Sequence, residues 1–302
     1  MPPSSPAAPT SDTDRLAELR SRIDQIDEQM HGLLIERSNI IDALVEAKGT
    51  QNSGGTQSAG PDSPSDAPTG AAFRPLREAD MMRRLVERHE GSLPMVTVEH
   101  IWREIISTFT RLQADYVVHL DGSADAIDMR DAARFYFGFA LDLVTEEDPD
   151  AVVAAVAAST TDLGVIALTR AAETPWWRAL GGSGPHILAR LPFLLETGRP
   201  ADMPALVLSP PVSEPGDPDI SVYCVTWMAG KRPDNALAQA GIEILARHTS
   251  EGTDALIAVP GDVTIDAIAA ILQDAGAEPG PLREVGGYAA AIDLDDSDDD
   301  DF

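Results

Sequence analysis

A long stripe of apolar side chains near the start of the chain constrains the fold more than any other feature. Between residues 14 and 48 these side chains recur in alternating steps of three and four, at Leu16, Leu19, Ile23, Ile26, Met30, Leu33, Ile40 and Leu44. This spacing predicts one helix that packs lengthwise along other helices. At about 1.5 Å per residue the helix is some 50 Å long.

Two shorter helices are predicted after a segment without periodicity. Residues 49–72 are rich in Gly, Ser, Pro and Asp, and this composition predicts a flexible loop. A second helix begins at Pro75, and a third spans about 97–117. The third has an apolar side formed by Ile101, Trp102, Ile105, Phe109, Leu112 and Tyr116. Because two short helices cannot cover the first, we expect a second copy of the chain beside it, in an all-α, three-helix intertwined homodimer.

Three cations on the first helix interrupt or flank its apolar stripe. Arg37 lies in register with Met30 and Leu44, at a position where an unpaired charge is costly. Lys48 follows 11 positions later and returns to within about 20° of Arg37 around the helix. Arg20 lies about 100° away from Arg37 and roughly 25 Å along the axis. Arg37 and Lys48 are therefore expected to face one interior, and Arg20 a different pocket.

The order of polar residues in this helix is specific. The segment LAELRSRIDQIDEQMHGLLIERSNIIDALVEAK carries the pattern L-R-x-x-I-D-x-I-D, then E-R, then K. After the loop, FRPLREA supplies Arg77 and Glu78, and the third helix ends near the polar residue Gln113. In these features residues 14–117 resemble the all-helical chorismate mutases, especially those fused ahead of a prephenate dehydratase.

The resemblance implies a substrate site shared between two subunits. Arg37, Lys48 and Arg77 would bind the two carboxylates of chorismate, together with Arg20 donated by the partner subunit. Glu78 would accept a hydrogen bond from the substrate hydroxyl. Chorismate is the expected small-molecule substrate, and the partner is a second copy of the chain.

The resemblance also implies the catalytic residues Lys48, Gln113 and Arg37. Lys48 and Gln113 would donate hydrogen bonds to the ether oxygen of the breaking bond. The conversion of chorismate to prephenate is a unimolecular pericyclic rearrangement, so the protein has only to hold the compact conformer and stabilise charge on that oxygen. No cofactor and no metal are expected.

The second half predicts an α/β domain over residues 118–212, where short apolar runs alternate with helical stretches. The runs VVHLDGSADAIDMRDAARFYFG and DLGVIAL resemble parts of a prephenate dehydratase domain. Where that family has its Asn-Ser-Thr and Thr-Arg-Phe elements, this chain has Thr169, Arg170, Ala171, Met203, Pro204 and Ala205. We therefore expect a degenerate dehydratase-like region without catalytic activity.

In the last module, residues 218–294, the apolar pattern predicts the order β, α, β, α, β of a small α+β fold. Its closing stretch LREVGGYAAAI resembles a regulatory ACT-type domain. The Gly-Ala-Leu and Glu-Ser-Arg-Pro elements that would bind phenylalanine are missing, so feedback by phenylalanine is not expected. Residues 1–13 are predicted to be a disordered tail, and residues 295–302 a solvated acidic tail.

Charge and composition exclude several classes of function. The net charge of −28 argues against a general affinity for nucleic acid or anionic membranes, which need a basic face. Cys224 is the single cysteine, so no intrachain disulfide forms, and the six histidines share no metal-ligand spacing. No apolar run is long enough to span a bilayer and no signal-peptide pattern opens the chain, so we expect a cytoplasmic protein.

Two other interpretations of the chain remain open at this point. The first is a partner-dependent or metabolite-sensing regulatory protein of aromatic amino-acid biosynthesis, with weak intrinsic activity and another shikimate-pathway enzyme as its candidate partner. The second is purely structural: the cations of the first helix extend from a coiled-coil seam or pair with Glu36, Asp27 or Glu46.

Overall fold

The computed structural model describes residues 12–53, 73–211, 217–228 and 230–295. Within the first helix, the side chains at 44, 45 and 47–53 lie outside this description. The chain divides into two compact units, Met1–Ser65 and Asp66–Phe302. The two predicted tails fall almost entirely outside the described residues, and residues 54–72 of the predicted loop lie wholly outside them.

The first unit contains one helix, α1, over Asp12–Ser53. Two acidic residues, Asp12 and Asp14, lie in its first turn, where negative charge interacts favourably with the helix dipole. The predicted single long helix is confirmed. It continues to Ser53, so the predicted start of the loop at residue 49 is wrong. The apolar stripe is solvent-exposed in the single chain, with exposed fractions of 46–64% for Leu16, Leu19, Ile23, Ile26, Met30, Leu33 and Ile40.

The second unit begins with two helices, α2 over Pro75–Arg88 and α3 over Met95–Gln113. Proline at the first position of α2 suits a helix start because the first-turn amide has no partner within the helix. The buried face of α2 packs in one apolar cluster with α3 and with residues of the α/β part. The buried members of this cluster are Ala79, Met82 and Leu85 of α2, Val98 of α3, and Phe193 and Leu194 of the α/β part. The two helices therefore share a core with the α/β part of the chain.

The buried side of α3 differs from the predicted one. Ile101 and Leu112 were expected to be buried but are 38% and 59% exposed. The buried residues of α3 are Val96, Val98, Glu99, Arg103, Phe109 and Thr110. The prediction for Ile101 and Leu112 is wrong because α3 turns a charged face inward, where its charges pair with partners from other elements.

The α/β part contains the other helices and all strands of the described residues. Its helices are α4 (Ala126–Phe137), α5 (Pro149–Ala157), α6 (Asp234–Gln239), α7 (Ile265–Asp274) and a 3₁₀ turn (Trp176–Ala179). Its strands are β1 (Val118–Asp121), β2 (Leu143–Glu146), β3 (Leu163–Ala167), β4 (His186–Leu191), β5 (Leu194–Leu195), β6 (Ala205–Ser209), β7 (Ile220–Met228), β8 (Glu243–Thr249), β9 (Gly252–Pro260), β10 (Arg283–Tyr288) and β11 (Ile292–Asp293). The predicted α/β class of this half is confirmed.

Within the described residues, nine strands form one sheet in the order β2-β1-β3-β6-β4-β10-β7-β9-β8, and β5 pairs with β11 separately. Strands β7 to β10 and helices α6 and α7 follow the order β-α-β-β-α-β, in which β8 is a strand that was not predicted. The stretch NALAQAGIEILAR, predicted as one helix, is the short helix α6 followed by strand β8. Gly241, with a φ of +72°, ends the helical conformation between them.

The sheet is continuous across the junction between the two predicted modules. Strand β10 pairs in parallel with β4 through Gly286 and Ile187, and on its other side it runs antiparallel to β7. Gly286 has a φ of +137°, a conformation that side chains disfavour. A Cβ at this position would overlap backbone atoms of Ile187. Glycine is therefore required where the two modules meet.

We predict that Gly286→Ala lowers the free energy of unfolding by about 2–3 kcal/mol, because it combines backbone strain with a backbone clash. Gly182→Ala is the matched control. Gly182 also has a positive φ, of +62°, but a Cβ added there would meet no atom within 4 Å. The free energy of unfolding of this control should fall by about 1 kcal/mol, because only its backbone conformation is strained. Urea denaturation measures both, and equal losses in the two variants would contradict the argument from the strand junction.

Candidate active site

The structure places the six predicted site residues on three helices. The first unit holds Arg20, Arg37 and Lys48 on α1, and the second unit holds Arg77, Glu78 and Gln113 on α2 and α3. Arg20 is exposed and Arg37 is half-buried, while the side chain of Lys48 lies outside the description. One compact unit thus contains Arg77, Glu78 and Gln113, and the other contains the α1 cations.

Glu78 occupies a sheltered position on α2. Its side chain is 11% exposed, whereas its neighbour Arg77 is exposed. The Oε2 atom of Glu78 accepts a hydrogen bond of 2.9 Å from Nη1 of Arg103, on α3. A charge-assisted bond of this kind restricts the carboxylate more strongly than a neutral one does. Arg103 therefore holds the carboxylate that the resemblance assigns to the substrate hydroxyl.

Gln113 is the last residue of α3. Its side-chain nitrogen Nε2 donates to the backbone carbonyl of Phe109 at 3.0 Å. A primary amide carries two N–H donors, and this bond uses one of them. The amide is thus oriented by its own helix, in a half-buried setting.

Arg103 is the most deeply buried charge next to this site. Its side chain is 1% exposed, its Nε lies 3.8 Å from Oε1 of Glu99, and its Cζ lies 4.0 Å from the ring centroid of Tyr136. Burial by itself would lower the pKa of the Arg103 guanidinium, but electrostatic interactions with Tyr136 and with the carboxylates of Glu78 and Glu99 outweigh that effect and raise it. Arg103 is therefore a permanent buried cation.

Glu99 connects Arg103 to the α/β part. Its side chain is 1% exposed, and Oε2 accepts a hydrogen bond of 3.1 Å from Nη2 of Arg199. Burial raises the pKa of Glu99, and the nearby charges of Arg103 and Arg199 oppose that rise. Arg199 is in turn held by the carbonyl of Leu194, to which its Nη1 donates. Two carboxylates and two guanidinium groups thus balance one another inside the second unit.

Two tyrosines complete the surroundings of Glu78. Burial raises the pKa of the Tyr116 hydroxyl, and the charge of Glu78 raises it further. Burial likewise raises the pKa of Tyr136, although Arg103 opposes it. Both phenols are thus neutral at physiological pH.

The sequence analysis missed Glu99, Arg103 and Arg199. Glu99 and Arg103 are four residues apart in α3, the spacing at which opposite charges meet on a helix. That spacing could have indicated a charged face on α3. Arg199 lies 100 residues from Glu99, and no local pattern points to it.

The described parts of the chain contain no group of three or more His, Cys, Asp or Glu side chains arranged to hold a metal ion. None of their helices has the length and apolar content needed to cross a bilayer. A cavity of about 560 Å³ lies in the α/β part, lined in part by Arg190, Glu196 and Arg199, and it contains none of the six predicted site residues.

In a comparison with known protein families, residues 19–114 match a family model. This span includes all six predicted site residues. The matched family is chorismate mutase type II. The resemblance of residues 19–114 to this family is thus confirmed, on helices whose bounds are given above.

Two curated relatives carry the description bifunctional chorismate mutase/prephenate dehydratase. The protein of Pseudomonas aeruginosa is 29% identical over 163 residues, which are 54% of this chain and 41% of the relative. The protein of Neisseria gonorrhoeae is 28% identical over 121 residues, which are 40% of this chain and 28% of the relative. The chain therefore matches less than half the length of either relative.

Two solved structures align with a larger share of the chain. One is described as GqqA, a novel type of quorum quenching acylases, with 14% identity and a TM-score of 0.36 over 58% of this chain and 95% of that structure. The other is prephenate dehydratase from Streptococcus mutans, with 13% identity and a TM-score of 0.36 over 60% of this chain and all of that structure. Scores this low support no inference about function.

Proposed function

We propose that this chain is a chorismate mutase, which rearranges chorismate to prephenate, and that its α/β part is not catalytic. The observation that carries the proposal is the family match over residues 19–114, which includes every residue assigned to the site. The substituted dehydratase elements, including Thr169, Arg170 and Ala171, support the second half of the proposal.

The proposed mechanism is electrostatic. Arg37, Lys48 and Arg77 hold the two carboxylates of chorismate, and so favour the compact conformer in which the reacting carbons meet. Lys48 and Gln113 donate hydrogen bonds to the ether oxygen, on which negative charge grows as its bond to carbon breaks. Glu78 accepts a hydrogen bond from the substrate hydroxyl. These groups need no nucleophile, no metal and no cofactor.

The proposal includes a homodimer in which Arg20 serves the site of the partner subunit. The stripe on α1 is 46–64% exposed in the single chain, and an apolar surface of this length is typical of an interface. A second α1 is the natural occupant because the stripe has the spacing of helices that pack lengthwise. Arg20 and Arg37 are roughly 25 Å apart along α1, too far to serve one small substrate in one subunit.

The first test is turnover by the purified full-length protein. We expect chorismate consumption with prephenate as the product, followed by ultraviolet absorbance and identified by mass spectrometry. Phenylpyruvate among the products would contradict the non-catalytic assignment of the α/β part. The absence of turnover would contradict the proposed function and favour the partner-dependent regulatory interpretation.

The shared site is tested by mixing two inactive variants. Arg20→Ala and Arg37→Ala should each lose activity, and unfolding and refolding them together at equal amounts should restore about one quarter of the wild-type activity. Half of the random dimers are mixed, and one of the two sites in each is intact. Arg37→Ala refolded with itself is the control. No recovery in the mixture would contradict the exchange of Arg20 between subunits.

A further inference from the structure

Four buried charges form a continuous line from α2 to the α/β part. This charge ladder consists of Glu78, Arg103, Glu99 and Arg199, whose signs alternate along the line. We infer that Arg199 is a positioning residue for the proposed mutase site, acting through Glu99 and Arg103 on the carboxylate of Glu78. The inference rests on the proposed function, because it assigns a further residue to that same site.

The geometry of the ladder supports transmission between its ends. Its links measure 2.9 Å from Arg103 to Glu78, 3.8 Å from Arg103 to Glu99, and 3.1 Å from Arg199 to Glu99. The side chains of Arg103, Glu99 and Arg199 are 1%, 1% and 3% exposed, so water does not replace a lost partner. Each inner charge is held by neighbours on both sides, and a displacement of one alters the position of the next.

The distal end of the ladder is fixed in the α/β part. Arg199 donates from Nη1 to the carbonyl of Leu194 and from Nε to the carbonyl of Pro200, the latter at 3.3 Å. Its Cζ also lies 5.0 Å from the ring centroid of Phe135, on α4. Leu194 is fully buried in the cluster that packs against α2 and α3. Arg199 thus ties the ladder to a rigid apolar core.

The proximal end carries the functional consequence. Glu78 is the ladder residue assigned to the substrate hydroxyl, and catalysis by orientation is sensitive to displacements of about 1 Å. A change at Arg199 is therefore expected to lower kcat through the position of Glu78. A merely structural role would lower the stability of the protein and leave the kcat of its folded fraction unchanged.

The experiment is a double-mutant cycle in the full-length protein. Arg199→Lys retains the charge but loses the planar fork that contacts Glu99 and Leu194 together. We expect Arg199→Lys to lower kcat for chorismate about tenfold to a hundredfold, with a smaller change in KM. In a Glu78→Gln background the same substitution should have no further effect on kcat, because the carboxylate through which Arg199 acts is already absent.

Glu99→Gln gives a second route to the same test if Arg199→Lys does not fold. The neutral amide has the shape of the carboxylate and removes one buried charge, and it should lower kcat only when Glu78 is present. Arg190→Lys is the matched control, since Arg190 lies in the same α/β part and its guanidinium pairs with Glu243, at 2.5 Å and 3.1 Å, which is not a ladder residue. The kcat of this control should equal that of the wild type.

The outcomes separate the inference from the proposed function. A decrease in kcat that is equal in the Glu78 and Glu78→Gln backgrounds overturns the inference, and so does a lowered urea midpoint with unchanged kcat. In both cases wild-type turnover of chorismate still supports the mutase. If the wild type does not turn over chorismate, the proposed function fails, and the positioning role fails with it.

Discussion

Lys48→Ala is expected to lower kcat for chorismate by about 10²–10³-fold, the usual loss on removal of one preorganised donor to a developing oxyanion. The resemblance assigns Lys48 both to a substrate carboxylate and to the ether oxygen. Lys48 follows Arg37 by eleven residues, a spacing that predicts nearly the same direction around a helix for the two positions. Steady-state kinetics of the purified variant measure the effect.

The matched control for this prediction is the other lysine of the chain. Lys231 is exposed in the α/β part, and Lys231→Ala should keep the kcat of the wild type. Circular dichroism and a urea midpoint equal to the wild type would show that Lys48→Ala is folded. Equal kcat values for Lys48→Ala and Lys231→Ala would contradict the catalytic assignment of Lys48.

Arg103→Met is expected to lower the free energy of unfolding by about 3–5 kcal/mol, the usual cost of removing one partner from a buried ion pair. The substitution leaves Glu78 and Glu99 facing an apolar side chain, and Glu99 is 1% exposed. It also removes the guanidinium that lies 4.0 Å from the Tyr136 ring. Urea denaturation followed by tryptophan fluorescence measures the loss.

Arg111→Met, in the last turn of the same helix, is the control because Arg111 is exposed. Its free energy of unfolding should stay within about 0.5 kcal/mol of the wild type. If Arg103→Met were as stable as Arg111→Met, the buried charges would not depend on Arg103, and the account of the ladder would be wrong.

The sequence alone predicts those features that depend on the spacing of nearby residues. The three-and-four repeat predicts α1, Pro75 predicts the start of α2, and the polar motif predicts the family that matches residues 19–114. These signals are local because helix periodicity and helix starts depend on neighbours within a few residues. The same reasoning assigned α3 an apolar buried face, and it failed for Ile101 and Leu112.

The remaining features depend on contacts between distant parts of the chain. Glu99 and Arg103 are buried because Arg199 and Glu78 neutralise them, and the separation of 100 residues between Glu99 and Arg199 has no local signature. Strand β8 was missed because its sequence continues the apolar pattern of α6, and only the turn at Gly241 separates them. The arrangement of the α1 cations around a substrate depends on a second chain in the proposed dimer, and it stays a prediction.

The apolar core that α2 and α3 share with Phe193 and Leu194 bears on the history of this chain. The helices that carry Arg77, Glu78 and Gln113 need a surface on which to bury their apolar face, and here that surface belongs to the α/β part. Substitutions elsewhere in the α/β part would leave this support intact, whereas deletion of the region would expose the core. Under the proposed function, natural selection on the helical site alone is then enough to preserve the sheet.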